Sequence, residues 1–164
     1  MTKPLLVLDF DGCLHSYNSG WCGPRTIPDP PVPGALEFLV TALDYFTVAI
    51  YSSRSHHIGG RRAMKRWLVQ HLVAEAGDDP LTAPQWWTQR IVRQYFADPW
   101  WDEIRWAEKY VVKEIQWPLF KPPAKVAIDD RCMTFTGVWP TMEELESFEP
   151  WNKAAIRGKI LADT

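Results

Sequence analysis

The sequence predicts an α/β fold: a mainly parallel sheet with helices on both faces. Three observations carry that reading. Short apolar runs alternate with segments of helical periodicity. The runs are continuously apolar rather than alternating, as strands covered on both faces are. A chain of 164 residues also suits one domain spanning residues 1–164, large enough to bury a core without metal or disulfide staples.

The elements follow in order. Leu5–Leu8 is the first apolar run. Residues 13–33 form a Gly/Pro-rich segment, with five prolines between Pro24 and Pro33. Proline breaks both ladders and helices, so this stretch is expected to be a stiff, flap-like loop. Pro33 sits where a first helical position would fall, and Leu36, Leu39, Val40 and Leu43 recur at helical spacing. Phe46–Tyr51 is a second strand. Gly60–Ala76 is a helix with Met64, Leu68 and Leu72 on one face and Gly77 as its stop. Thr82 with Gln85 opens a helix to about Phe96, and Asp98-Pro99 another to about Val112. Ile115–Phe120 and Val126–Ile128 are further candidate strands. Thr141 with Glu144 is a capping box for a short last helix. Residues 78–114 thus form a helical insertion carrying Trp86, Trp87, Trp100, Trp101 and Trp106. It reads either as a small cap or, more plainly, as helices packed on the domain by their Trp faces.

Composition excludes several classes. Eighteen basic against twenty acidic residues leave a net charge of −2, so the chain is not a polybasic nucleic-acid coat. No apolar run approaches the ~20 residues of a membrane span, so no membrane partner is expected. Cys13, Cys22 and Cys132 are odd in number and lack CxxC spacing, which fits free thiols in a reducing cytosol. Only Lys3 precedes a short apolar stretch ending at Asp9, which is not a signal-peptide pattern. A cytoplasmic location is therefore expected. Oligomeric state is not readable.

In parallel sheets ligands gather at the carboxyl ends of the strands. The first strand ends Asp9-Phe10-Asp11-Gly12. Two carboxylates two residues apart project the same way if strand geometry persists, and Gly12 permits a sharp turn. They suit a metal-assisted site in which one carboxylate attacks and the other moves a proton; a solvated turn uses the same residues. The second strand ends Ser52-Ser53-Arg54. Hydroxyls and a guanidinium bind phosphate oxygens, although an ordinary Ser-rich loop reads the same way. The third ends Asp129-Asp130-Arg131. Adjacent carboxylates repel unless a cation lies between them, and Mg²⁺ prefers such hard oxygens. Lys121 and Lys125 lie just upstream, either able to neutralise an anionic intermediate.

In this order, Asp-x-Asp-Gly, Ser, Lys and Asp-Asp resemble the four motifs of the haloacid dehalogenase (HAD) superfamily, spanning Leu5 to Arg131. The resemblance implies a Rossmann-like three-layer α/β/α core without a full cap domain, Mg²⁺ as cofactor and an aspartyl-phosphate intermediate. It implies Asp9 as nucleophile and Asp11 as acid, then base. Ser52 would hold the transferred phosphoryl group, and Lys121 (or Lys125) would be the third-motif lysine. Asp129 and Asp130, with Asp9 and the backbone carbonyl of Asp11, would hold the metal. A second Asp at position 11 favours phosphate esters over halides, because an alkoxide needs a proton to leave.

Ser52-Ser53-Arg54 resembles more weakly the Ser-Gly-Arg of polynucleotide 3′-phosphatase domains, with Ser53 departing from it. The whole set also looks like small bacterial and phage HAD hydrolases. Arg54 is thus an expected phosphate contact, with Ser53, Gly12 and Lys125 beside it. His15 is either a substrate contact or a loop hydrogen-bonder. Arg61, Arg62, Lys65 and Arg66 crowd the helix after Ser52. They suit a polyanionic partner, a nucleotide or nucleic-acid end, or a solvated basic face. The expected function is a Mg²⁺-dependent phosphomonoester hydrolase. The alternatives are a non-enzymatic HAD-fold scaffold, or a phosphatase of sugar phosphates or phosphoproteins.

Overall fold

Strand β1 (Leu5–Leu8) lies at the centre of a three-stranded sheet of order β2-β1-β3, with β2 at Thr47–Ile50 and β3 at Val126–Ile128, all parallel. The computed structural model describes residues 2–76, 84–87, 103–134 and 136–153. Leu8 pairs with Ile50 on one side and Ile128 on the other. The three strands therefore end level, and the residue after each emerges at one carboxyl edge. The chain leaves β1 for β2 on one side and returns to the other for β3. In open α/β sheets such a reversal opens a crevice between the diverging loops.

Helix α1 (Ala35–Tyr45) buries Leu36, Leu39, Val40 and Leu43, as their spacing predicts. It opens at Ala35 rather than Pro33, because Gly34 takes a left-handed φ of 78° that an L side chain rarely adopts. A 3-10 turn over Ser53–His56 leads to α2 (Gly60–Ala76), which buries Met64, Trp67, Leu68 and Leu72. Gly60 is required there: a Cβ would fall on the backbone carbonyl of Arg54. Helix α3 (Glu103–Ala107) continues as a π turn over Glu108–Val112, closed by the Lys113 N–H on the Glu108 carbonyl at 2.9 Å. Helix α4 (Met142–Ser147) carries the expected Thr141–Glu144 capping box. Gly77, Thr82, Asp98-Pro99, Trp100 and Trp101 lie outside the described residues. Trp87 and Trp106 are buried in the core, ring centroids 3.9 Å apart. Among the described residues the architecture is mixed α/β, with a small open parallel sheet and six helical segments. It is compatible with a Rossmann-like fold.

Two sequence expectations fail. Ile115–Phe120 is not a strand. It contributes one parallel bridge, Gln116 to Ala49, after which Pro118 has no N–H to extend a ladder. β3 is not covered as its apolar run predicts: Val126 and Ile128 are 45% and 41% exposed. Among the described residues the strand lies at the sheet edge, and α4 buries none of its own residues.

Candidate metal centre at the carboxyl edge of the sheet

The level strand ends bring distant acids together. The Asp9 N–H donates to the Ile128 carbonyl (2.9 Å), which ties the end of β1 to the end of β3. Asp9, Asp129 and Asp130 each offer a carboxylate oxygen, all within 4.8 Å of one another. Asp130 is buried, and neither carboxylate oxygen accepts a hydrogen bond from the described residues. Its nearest cation, Arg131 Nε, stands 3.6 Å from Oδ2, beyond hydrogen-bond reach. A buried carboxylate with no donor costs several kcal/mol unless a charge compensates it. Three hard oxygen donors, one of them buried with no hydrogen bond and only the ion pair to Arg131, fit a Mg²⁺-class cation.

The electrostatics agree. Burial, then the charges of Asp129, Asp11 and Asp130, raise the Asp9 pKa from 3.8 to about 7 against a backbone N–H from Phe10. Burial also raises Asp130, with Asp129 adding to it and Arg131 opposing. Asp129 feels the same burial, but the Arg131 N–H (3.0 Å), the Cys132 thiol and Lys121 together hold it below the usual range. Burial and the three acids push the Cys13 thiol up to about 12. Cys13 is therefore a thiol at neutral pH and a poor nucleophile beside Asp9.

Of the two candidate lysines, the structure brings one to the site. Lys121 Nζ lies 3.5 Å from Asp129 Oδ2. Lys125 precedes β3, its N–H on the Leu5 carbonyl at the amino edge of the sheet, roughly 13 Å of strand from Asp129. Gly12 has φ +88°, and a Cβ there would fall on the Asp130 carboxylate. Its role in this structure is to let Asp130 approach. The Gly12 carbonyl accepts from Trp151 Nε1 at 2.8 Å. Sequence reasoning missed Trp151; nothing local to Pro150-Trp151 signals a contact 139 residues away.

Asp11 stands outside the triad. Arg54 Nε donates to both its oxygens (2.8 and 3.0 Å), and His15 Nδ1 lies 2.9 Å from Oδ1. The Asp29 N–H donates to His15 Nε2 (3.2 Å). Nε2 therefore carries no proton, and Nδ1–H is the donor to Asp11. His15 is wholly buried, a loop hydrogen-bonder rather than a surface group. Asp29, also missed, is held in turn by the Ser19 N–H and hydroxyl.

Arg54, expected to face substrate phosphate, is wholly buried. Beyond Asp11 its Nη1 donates to the Gly23 and Thr26 carbonyls, and its guanidinium lies 4.7 Å over the Trp21 ring. Nη2 alone lacks a partner among the described residues. Arg54 thus ties the flap to Asp11. Arg54→Ala is expected to destabilise the fold by about 3–5 kcal/mol, the loss typical of a broken buried pair. Arg54→Lys should recover little of it, lacking the planar fork; thermal melts of both variants read this.

Ser52 is buried and caps the following turn: its hydroxyl accepts from the Arg54 N–H (3.3 Å), and its own N–H donates to Ser55 Oγ. Ser53 is exposed. No helix among the described residues is long and apolar enough to cross a membrane. No family model matches the chain, and neither a curated protein nor a solved structure matches it.

Proposed function

We propose that this chain is a phosphomonoester hydrolase of the haloacid dehalogenase type, using Mg²⁺ and an Asp9-phosphate intermediate. The observation that carries the reading is the convergence of Asp9 with Asp129 and Asp130, whose buried carboxylate has no hydrogen-bond donor.

Asp9, Asp129 and Asp130 would hold the cation, which when bound neutralises the carboxylates and polarises a phosphoryl oxygen. An Asp9 oxygen attacks phosphorus and the ester oxygen leaves, so that one hard displacement becomes two easier ones. Lys121, placed against Asp129, adds positive charge where the transferred phosphoryl group accumulates negative charge. Water then attacks phosphorus, regenerating Asp9 and releasing phosphate. Asp11 is the candidate to protonate the leaving oxygen and later to take the proton of water. To do so it must release one of the donors, Arg54 or His15, that now occupy its oxygens. The Ser52 hydroxyl is the candidate donor to the transferred group.

Hydrolysis of a generic aryl phosphate tests the reading. It should require Mg²⁺ and stop on chelation. Inactivity toward a broad panel of phosphate esters, with no Mg²⁺ bound, would overturn it in favour of a binding module.

A further inference from the structure

A basic furrow runs along α2. Its first stretch, about 650 Å³, is lined by His56, Ile58, Arg61, Arg62, Lys65 and Leu119. Its second, about 740 Å³, shares Arg62 and Lys65 and adds Arg66, Lys113, Glu108 and Trp117. Among the described residues, five Arg and Lys side chains thus line it with one carboxylate, Glu108, in a chain whose net charge is −2. No ion pair engages Arg62 or Arg66 among the described residues, and both are exposed. The helix gains nothing from Arg62, since a cation in the first turn opposes its dipole.

One short segment of chain links the furrow to the candidate centre. Leu119 lines it, and two residues later Lys121 reaches Asp129. Phe120 lies between them, 76% exposed, its ring 5.9 Å from that of His56. Farther along, the half-buried ring of Trp117 lies under the Lys65 ammonium at 5.4 Å. Arg62 and Arg66 are one turn apart on α2, about 6 Å along the axis. A row of cations at that interval, interleaved with rings, suits a ligand whose charges repeat and whose uncharged parts stack. A small sugar phosphate or an isolated phosphoresidue offers one phosphate group, which the centre itself would occupy, and leaves the row unused.

We propose that this furrow is a track for single-stranded nucleic acid, which presents a terminal phosphate to Asp9. Arg62, Lys65 and Arg66 contact the backbone phosphates, and Phe120 stacks a base near the reacting end. The assignment of the end group rests on the phosphomonoesterase reading; the track does not.

The test separates the two. Binding of a fluorescent oligothymidylate of about twelve nucleotides, without a terminal phosphate, is measured by anisotropy in full-length protein at several salt concentrations. The wild-type chain should bind, more weakly as salt rises. Arg62→Ala/Arg66→Ala should lose at least about ten-fold in affinity and flatten the salt slope by about 1–2. Both residues are exposed, and the variant's hydrolysis of a small aryl phosphate should be unchanged. Phe120→Ala should weaken binding by about five-fold or more. No binding by the wild-type chain, equal affinity in the double variant, or a phosphopeptide or anionic vesicle bound more tightly than the oligonucleotide would overturn the track. If the oligonucleotide binds as expected but no phosphate ester is hydrolysed, the track stands and the reading of Asp9 falls.

Discussion

Asp9→Asn is expected to reduce hydrolysis of an aryl phosphate by about 10⁴-fold or more, the scale of losing a covalent nucleophile. An amide oxygen is a weak nucleophile and a weaker metal ligand, so the loss should fall on kcat rather than KM. The same change should make the metal-free protein more heat-stable at neutral pH. Asp9 has a pKa raised from 3.8 to about 7 by burial and neighbouring acids. The folded chain therefore binds more protons than the unfolded one between these values. That contribution to stability is fully present below about pH 4 and is lost as pH rises to about 7. Asn carries no charge at any pH. Its advantage over Asp should be small at pH 4, grow through this window and reach several degrees in Tm at pH 7.5. An Asn variant that is less stable than wild type at pH 7.5, without metal, would contradict the crowded-acid description.

The second large effect concerns Asp130, whose buried oxygens accept no hydrogen bond from the described residues. In wild type, Mg²⁺ at ten times its Kd should stabilise the fold by about 1.4 kcal/mol, about 3–6 °C in Tm for a chain of this size. Asp130→Asn should erase that increment. It should also raise the Tm of the metal-free protein at pH 7.5, since the buried charge is removed while the shape is kept. Its effect has the same sign as that of Asp9, because burial raises both groups. Asp129, held low by Arg131, Cys132 and Lys121, acts oppositely. Asp129→Asn should lower metal-free stability at pH 7.5. Calorimetric melts with and without Mg²⁺ distinguish the two neighbours.

The sequence made the three strand ends legible because each strand is short, apolar and closed by an acid or a hydroxyl. Leu8, Ile50 and Ile128 then align by ordinary parallel pairing, and their acids meet without further information. Helix α2 was readable over Gly60–Ala76 from the period of Met64, Leu68 and Leu72. What escaped depends on pairing between distant segments. Arg54 can contact substrate or Asp11. Its choice here is set by how the proline-rich loop delivers the Gly23 and Thr26 carbonyls and the Trp21 ring. Trp151 at Gly12 is a tertiary contact with no local signature. Ile115–Phe120 has strand composition, yet Pro118 interrupts the ladder that composition suggests. The exposure of β3 was equally hidden, because an apolar run specifies what prefers burial, not what covers it.

Uptake of phosphorus by Asp9 is the step on which the proposed hydrolysis depends. An Asp11→Asn variant should form the phosphoenzyme from an aryl phosphate, whose leaving group needs little protonation, and hydrolyse it slowly. Acid quenching followed by peptide mass mapping should find one added phosphoryl group, dependent on Mg²⁺, on the peptide and residue of Asp9. Phosphate release with no label at Asp9, or a label on Ser52 instead, would contradict it.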